Sequence, residues 1–286
     1  MSILESKIDF IAIAAVKNAN PNGDPLNGNR PRTTYDGYGQ MSDVCIKRKI
    51  RNRLQDMGEK IFVQSDDRSD DGYDCLSKRA SGEIKAFSSK DDYAKQACEK
   101  WFDVRSFGQV FAFKSSEKDS SKDGVSVGVR GPVSVHQAMS VSPVDVNSMQ
   151  ITKSVNSEPA DGKKSSDTMG TKHMVDFGLY EIKGSINVQL AEKTGFSKED
   201  AEKIKECLRT LFINDSSSAR PDGSMEIIRV YWWEHNCKIG QYSSAKVHDS
   251  LKITLKDGIT YPSSADDYVY VLSDLDGLKP QIIEGM

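Results

Sequence analysis

Asn18-Ala-Asn-Pro-Asn-Gly-Asp-Pro-Leu-Asn-Gly-Asn-Arg-Pro-Arg32, followed after nine residues by Ser42-Asp-Val-Cys-Ile-Lys-Arg-Lys-Ile-Arg-Asn-Arg-Leu54, is the stretch around which the chain is organised. The first segment holds five Asn, two Gly and three Pro in fifteen residues, a composition that favours tight turns and positive φ and opposes regular structure. So long a connection inside a compact domain is usually functional or disordered, and the segment after it argues for function. Ile46, Ile50, Leu54 and Met57 recur at helical spacing behind Asp43, a good N-cap, which predicts a helix over 43 to 57 with one stripe facing a core. Lys47, Arg48 and Arg51 then share an arc of about 100° beside that stripe, with Lys49 and Arg53 at its other edge. Five cations within seven residues, beside a loop offering backbone N–H groups, is how a protein grips a string of phosphates. A solvated basic face is the bland reading of the same run.

Charge is sorted along the chain. The 286 residues carry a net charge of −3, so there is no global basic footprint and a polyanion site must be local. Residues 30 to 60 hold eight Lys/Arg against four Asp/Glu, whereas 61 to 75 hold one against five. Five cysteines, Cys45, Cys75, Cys98, Cys207 and Cys237, are an odd number without a C-x-x-C pair, which opposes both a disulfide framework and a zinc site and fits a reducing, cytoplasmic setting. The run Ile8 to Val16, broken by Asp9, is too short to span a membrane and reads as a buried central strand rather than a signal.

Working outward, the segment from Ser65 to Ser89 is polar, acidic and without periodicity, which makes it a surface insert or partly disordered. A second helix is expected over 91 to 102, and the aromatics of Asp103-Val-Arg-Ser-Phe-Gly-Gln-Val-Phe-Ala-Phe113 are core by preference, with base stacking the alternative. Alternating valines predict a strand over 125 to 135, broken by Arg130-Gly131-Pro132, the mark of a bulge or of another backbone passing close. Residues 141 to 176 lack core-forming material and read as an extended hairpin or arm between two strands. A strand is expected over 178 to 190, an amphipathic helix over 198 to 213 behind the capping box Ser197 to Asp200, and a strand over 225 to 233; the order of 240 to 286 is not legible. The sum is an α+β fold in ferredoxin-like order, β-α-β-β-α-β, the architecture of RNA-recognition domains.

Several blocks carry a family likeness. Asn20-Pro-Asn-Gly-Asp-Pro25, Asn29 with Arg32, and Ser42-Asp-Val-Cys-Ile-Lys-Arg-Lys-Ile-Arg51 resemble the N-terminal signature of the backbone subunits of type I-C CRISPR Cascade complexes, members of the RAMP superfamily. Asp103-Val-Arg-Ser-Phe-Gly-Gln-Val-Phe-Ala112, Val129-Arg-Gly-Pro-Val-Ser134 and Thr168-Met-Gly-Thr-Lys-His173 with Tyr180 look like the same family, and Asn214-Asp-Ser-Ser-Ser-Ala-Arg-Pro221 is a looser match. The resemblance implies an RRM-like palm (1–60, 103–140 and 177–286), a fingers insertion at 61–102 and a thumb hairpin at 141–176. It also implies the partners: a CRISPR guide RNA, the target DNA strand, further copies of the chain stacked head to tail, and the large and guide-processing Cascade subunits. In the family the thumb crosses the neighbour's guide and flips out one base at intervals. Thr171 and Ser216 stand where the family usually has Arg, each removing a candidate phosphate contact.

On that basis Lys47, Arg48 and Arg51 are assigned to guide phosphates, Asn20, Asn22 and Gly23 to backbone or amide hydrogen bonds, and Arg130 with Gly131 to the RNA backbone. Lys172 and His173, at the base of the arm, are assigned to RNA or to the neighbouring subunit, and Met149 to a wedge at a flipped base, because an apolar side chain on a polar hairpin needs a partner surface. The alternative is a metal-dependent RNase of the type III kind using Asp24, near Asp36 and Asp43; within a Pro-Asn-Gly-Asp-Pro turn, however, an Asp commonly bonds its own backbone. No phosphate-binding Gly-Lys loop, zinc-protease motif, nucleophile elbow or RRM stacking signature is present, and His136, His173, His235 and His248 show no ligand spacing. The expectation is a non-enzymatic, cofactor-free and metal-free RNA-binding subunit with no membrane partner.

Overall fold

The apolar run near the start becomes β1 (Ile8–Ala19), buried from Ile8 through Val16; packed on both faces, it shows no alternation to read. In this computed structural model, which describes residues 2–113, 126–154 and 169–286, the Asn-rich loop is closed by two short strands, β2 (Gly23–Asp24) and β3 (Arg30–Pro31). β4 (Tyr38–Met41) then leads into α1 (Asp43–Asp56). An insertion follows with α2 (Leu76–Glu83), α3 (Lys90–Lys100) and α4 (Phe102–Phe107), closed by paired strands β5 (Gly108–Ala112) and β6 (Ser126–Arg130). The chain returns through β7 (Val133–Val135) and β8 (Ala138–Pro143), runs out along β9 (Val146–Thr152) and comes back along β10 (Met169–Ile186). Then come α5 (Val188–Thr194), α6 (Lys198–Arg209), β11 (Met225–Glu234), α7 (Ser244–His248), the hairpin of β12 (Leu251–Leu255) and β13 (Tyr268–Leu272), and β14 (Gln281–Glu284).

The main sheet is antiparallel in the order β14-β11-β1-β10-β8-β4, and β10 also pairs with β7 near its end and β9 near its start. One face presents Phe10, Ala12, Ala14 and Val16 of β1 to Ile46, Ile50 and Leu54 of α1 and to Ile204 and Leu208 of α6. The other presents Ile11, Ile13 and Ala15 to Val247 of α7, Leu251 of β12 and Tyr268 of β13. The insertion has its own core, in which Phe62, Tyr93, Trp101 and Phe111 meet with ring centroids 4.7 to 6.4 Å apart.

Several boundaries differ from expectation for identifiable reasons. The strand expected to continue to 190 stops at Ile186, because Asn187 turns the chain and its Oδ1 accepts the Leu190 N–H at 2.8 Å, starting α5. The valine strand is really two strands in two sheets: β6 pairs with β5 in the insertion, β7 with β10 in the main sheet, and the Arg130-Gly-Pro break is the crossing. The helix expected over 91 to 102 ends at Lys100 and a new one starts at Phe102. Between Ser65 and Ser89 the chain is ordered by a short helix whose Leu76 and Ala80, with Ile84 at its C-cap, pack into the insertion core, and by a buried charge. The buried Arg79 guanidinium binds Asp71 Oδ1 at 2.9 Å and the Phe62 carbonyl at 2.9 Å, and it holds the Asp71 carboxyl below the usual range. The Ser197–Asp200 capping box forms as expected.

Candidate nucleic-acid interface

α1 is capped by Ser42, not Asp43: the Ser42 Oγ accepts the Cys45 N–H at 3.2 Å, and Asp43, the first helical residue, pairs instead with Lys47 at 3.0 Å. Ser42, one residue before the expected cap, has the extended backbone that a cap requires. The apolar stripe is as expected, but the cations are not a uniformly solvated face. Arg48 Nη1 donates to the Val63 carbonyl at 2.6 Å, and Arg51 Nε donates to Asp103 Oδ2 at 2.8 Å with its guanidinium 5.1 Å from the Phe107 ring. Arg53 Nε donates to Thr210 Oγ1 at 2.8 Å. Lys49 departs furthest from the expected edge of the arc: it is buried in an ion pair with Asp215, and burial pulls its pKa down against that partner. A helix clasped between α6 and the insertion buries more than one stripe, and long basic side chains lie along those flanks.

In the preceding loop, Asn18, Gly28 and Asn29 take φ of 51°, 58° and 57°, the left-handed backbone the composition favours. A Cβ at Gly23 would lie 2.0 Å from Asn29 Oδ1, so a side chain there would displace the Asn29 amide. The amides expected to face RNA are used inside the loop: Asn20 Nδ2 donates to the Asn29 carbonyl at 2.6 Å, and Asn22 Oδ1 accepts the Ser42 N–H at 2.9 Å. Asn20 also donates its backbone N–H to Ala219 at 2.8 Å. Asp24 bonds its own turn, accepting the Leu26 N–H at 3.2 Å, and pairs with Arg32 at 3.3 Å. Among the described residues no group of three His, Cys, Asp or Glu could hold a metal ion.

The expected arm is the hairpin of β9 with the first part of β10. Its register places Met149 opposite Lys172 and Ser148 opposite His173, so Lys172 and His173, adjacent in sequence, stand on opposite faces. On the His173 face, Arg30 of the loop donates from Nη1 to Ser148 Oγ at 2.8 Å, and that hydroxyl lies 2.8 Å from His173 Nδ1. On the other face Met149 and Ile151 are 44% and 51% exposed. Arg130 is exposed, but Gly131 is explained by packing: a Cβ there would lie 2.3 Å from the Ser106 carbonyl oxygen and 2.4 Å from the Gly108 nitrogen.

These pieces are bonded to one another. The loop meets α1 through Asn22 and Ser42, the 214–221 segment through Asn20 and Ala219, and the arm through Arg30 and Ser148; α1 meets 214–221 through Lys49 and Asp215, and α4 through Arg51 and Asp103. Sequence reasoning missed Arg30, Ser148, Asp103 and Asp215 as members of the site. Only Arg30 had a local signal, as a cation inside the Asn/Gly loop; the others are set by tertiary pairing.

A family model described as CRISPR-associated protein Cas7 matches residues 6–273 of the chain. The CRISPR-associated protein Cas7 of Haloferax volcanii is 26% identical over 248 residues, covering 82% of this chain and 73% of that protein. Among solved structures, a chain of a CRISPR RNA-guided surveillance complex, pre-nicking, superposes with a TM-score of 0.50 at 14% identity, covering 89% of this chain and 84% of its own. That last likeness is one of fold.

Proposed function

The chain belongs to the CRISPR-associated protein Cas7 family, and from that premise we propose that it is a non-enzymatic backbone subunit of a type I-C Cascade complex that holds a guide RNA by its phosphates. Copies stack head to tail along the guide and present it in segments to target DNA, in the cytoplasm and alongside the large and guide-processing subunits. The observation that carries this reading is the convergence just described. The Asn-rich loop, α1, α4, the 214–221 segment and the arm, far apart in sequence, are joined to one another by direct hydrogen bonds and ion pairs. In this reading Lys47, Arg48, Arg130 and Lys172 meet phosphates, His173 with Arg30 lines the path at the arm base, and Met149 contacts a base or the next copy. Asn20, Asn22 and Gly23 shape the loop that carries Arg30 to that path.

The order β11-β1-β10-β8, with α1 and α6 on one face, supports a ferredoxin-like palm. The separate core of the insertion supports a fingers unit, and the β9–β10 hairpin a thumb. Asp24, bonded to its own turn and to Arg32, gives no support to the RNase alternative. No helix among the described residues is long and apolar enough to cross a membrane.

Titration of the purified protein with unrelated single-stranded RNAs tests the proposal. Affinities should agree across sequences, and Lys47→Ala should weaken all of them together while shallowing the log–log salt dependence by about 0.7, one phosphate contact on a single strand. A loss confined to particular bases would overturn the reading. Light scattering should show RNA-length-dependent assembly, and RNA recovered from the native host should be repeat-derived.

A further inference from the structure

We infer that Arg51 and Asp103 do not bind RNA but aim Arg48 at it. The inference rests on the phosphate-cradle reading of α1 and gives Arg48 and Arg51 different parts in it, one contacting and one positioning.

Asp103 is 1% exposed and sits at the start of α4. Its Oδ1 accepts the Phe62 N–H at 2.7 Å, and its Oδ2 accepts the Val63 N–H at 3.1 Å and Arg51 Nε at 2.8 Å. A buried carboxylate with three donors is fixed in place. Val63, held at its N–H by Asp103, accepts Arg48 Nη1 at 2.6 Å on the carbonyl of its next peptide unit, while the carbonyl of the peptide Asp103 holds belongs to Phe62 and accepts Arg79. A relay therefore runs Arg51 to Asp103 to Val63 to Arg48, crossing from α1 to the insertion and back. At its start, the Arg51 side chain is only 13% exposed and its guanidinium lies over Phe107 with Nε committed to Asp103, leaving it little surface for an anion. At its end, Arg48 is half-buried and makes one hydrogen bond. A guanidinium has five N–H donors in a rigid plane, so anchoring one corner on Val63 orients the rest. Asp103 also accounts for a charge that a phosphate site would otherwise exclude: its carboxylate is neutralised by Arg51 and enclosed.

The test is a double-mutant cycle on RNA affinity and its salt slope, with Arg48→Ala, Arg51→Lys and Asp103→Asn alone and combined. Arg48→Ala should shallow the slope by about 0.7. Asp103→Asn removes a negative charge near the RNA path and on simple electrostatics would tighten binding; a positioning role requires it to weaken binding, by about tenfold for one misdirected charged contact. Arg51→Lys keeps the charge but loses the planar Nε–H and the stack on Phe107, so it should fall with Asp103→Asn; a direct phosphate contact would instead survive as lysine. Neither should weaken binding further once Arg48 is alanine.

Additive losses in the Arg48→Ala background, or near-wild-type binding by Arg51→Lys, overturn the inference while leaving the cradle reading intact. If Arg48→Ala changes neither affinity nor slope, both fall. Should Asp103→Asn fail to fold, as far-ultraviolet circular dichroism would show, Arg51→Lys with Arg48→Ala completes the cycle.

Discussion

Gly131 shows what a single residue can and cannot announce. The sequence marks it as a place where a strand breaks and a backbone passes close, and so it is, but the backbone is the chain's own, at Ser106 to Gly108. Gly131→Ala should cost about 1–3 kcal/mol, because the added methyl meets main-chain atoms that have no rotamer to change. A urea unfolding midpoint within error of the wild type would contradict this packing. The same limit applies along α1. Which residues are cations is legible from sequence; that Lys49 pairs with Asp215, and Arg51 with Asp103, depends on partners 166 and 52 residues away. A charge run records how many charges a helix carries, and burial then decides which of them face outward.

Elements were legible where one periodicity ran unopposed. α1 and α6 follow their apolar stripes, and β11 its β-branched and aromatic run. Errors fall where a polar side chain redirects the chain within a good pattern, as Asn187 does at the end of β10, or where a short apolar stripe, Leu76, Ala80 and Ile84, is masked by the polar residues around a buried ion pair, Arg79 with Asp71. The arm is the opposite case: it was legible because it lacks core material, and its hairpin register leaves Met149 and Ile151 half exposed on one face. Both side chains lie outside the three buried cores of the described chain. Met149→Ser with Ile151→Ser should therefore leave the unfolding free energy within about 0.5 kcal/mol of the wild type. The same double variant should reduce the size of assemblies formed on a long single-stranded RNA, measured by light scattering, while binding to a short RNA that accommodates one copy is kept. Equal assembly sizes for variant and wild type would place the partner of the arm elsewhere.

At the scale of the whole molecule, the main sheet is covered on both faces, and only one cover was readable. The α1–α6 side comes from long amphipathic helices; the other side is a five-residue helix and a short hairpin from 240 to 286, elements too brief to leave a period. That second cover carries a titratable group. His248 is buried and donates from Nε2 to the Gly184 carbonyl at 3.1 Å; burial, outweighing that bond, holds its pKa below the ordinary 6.5. Asp9 on β1 favours its protonated form, while His136 and Lys183 oppose it. Below pH 6.5 the unfolded chain takes up this proton before the native one does, so stability falls as pH drops toward the native value, by at most about 1.4 kcal/mol per pH unit. Asp9 acts in a separate window. Burial raises its pKa, but hydrogen bonds from His235, Ser244 and Lys7 outweigh that and hold it below 3.8, so its contribution is complete above that pH and lost only further into acid. Between pH 4 and 6.5 the two effects therefore separate. Urea midpoints measured across that range should decline in the wild type, and the decline should be shallower in His248→Gln, which keeps a donor for Gly184 but has no proton to gain. Parallel declines would assign the acid sensitivity to another group and leave the second face of the sheet indifferent to pH.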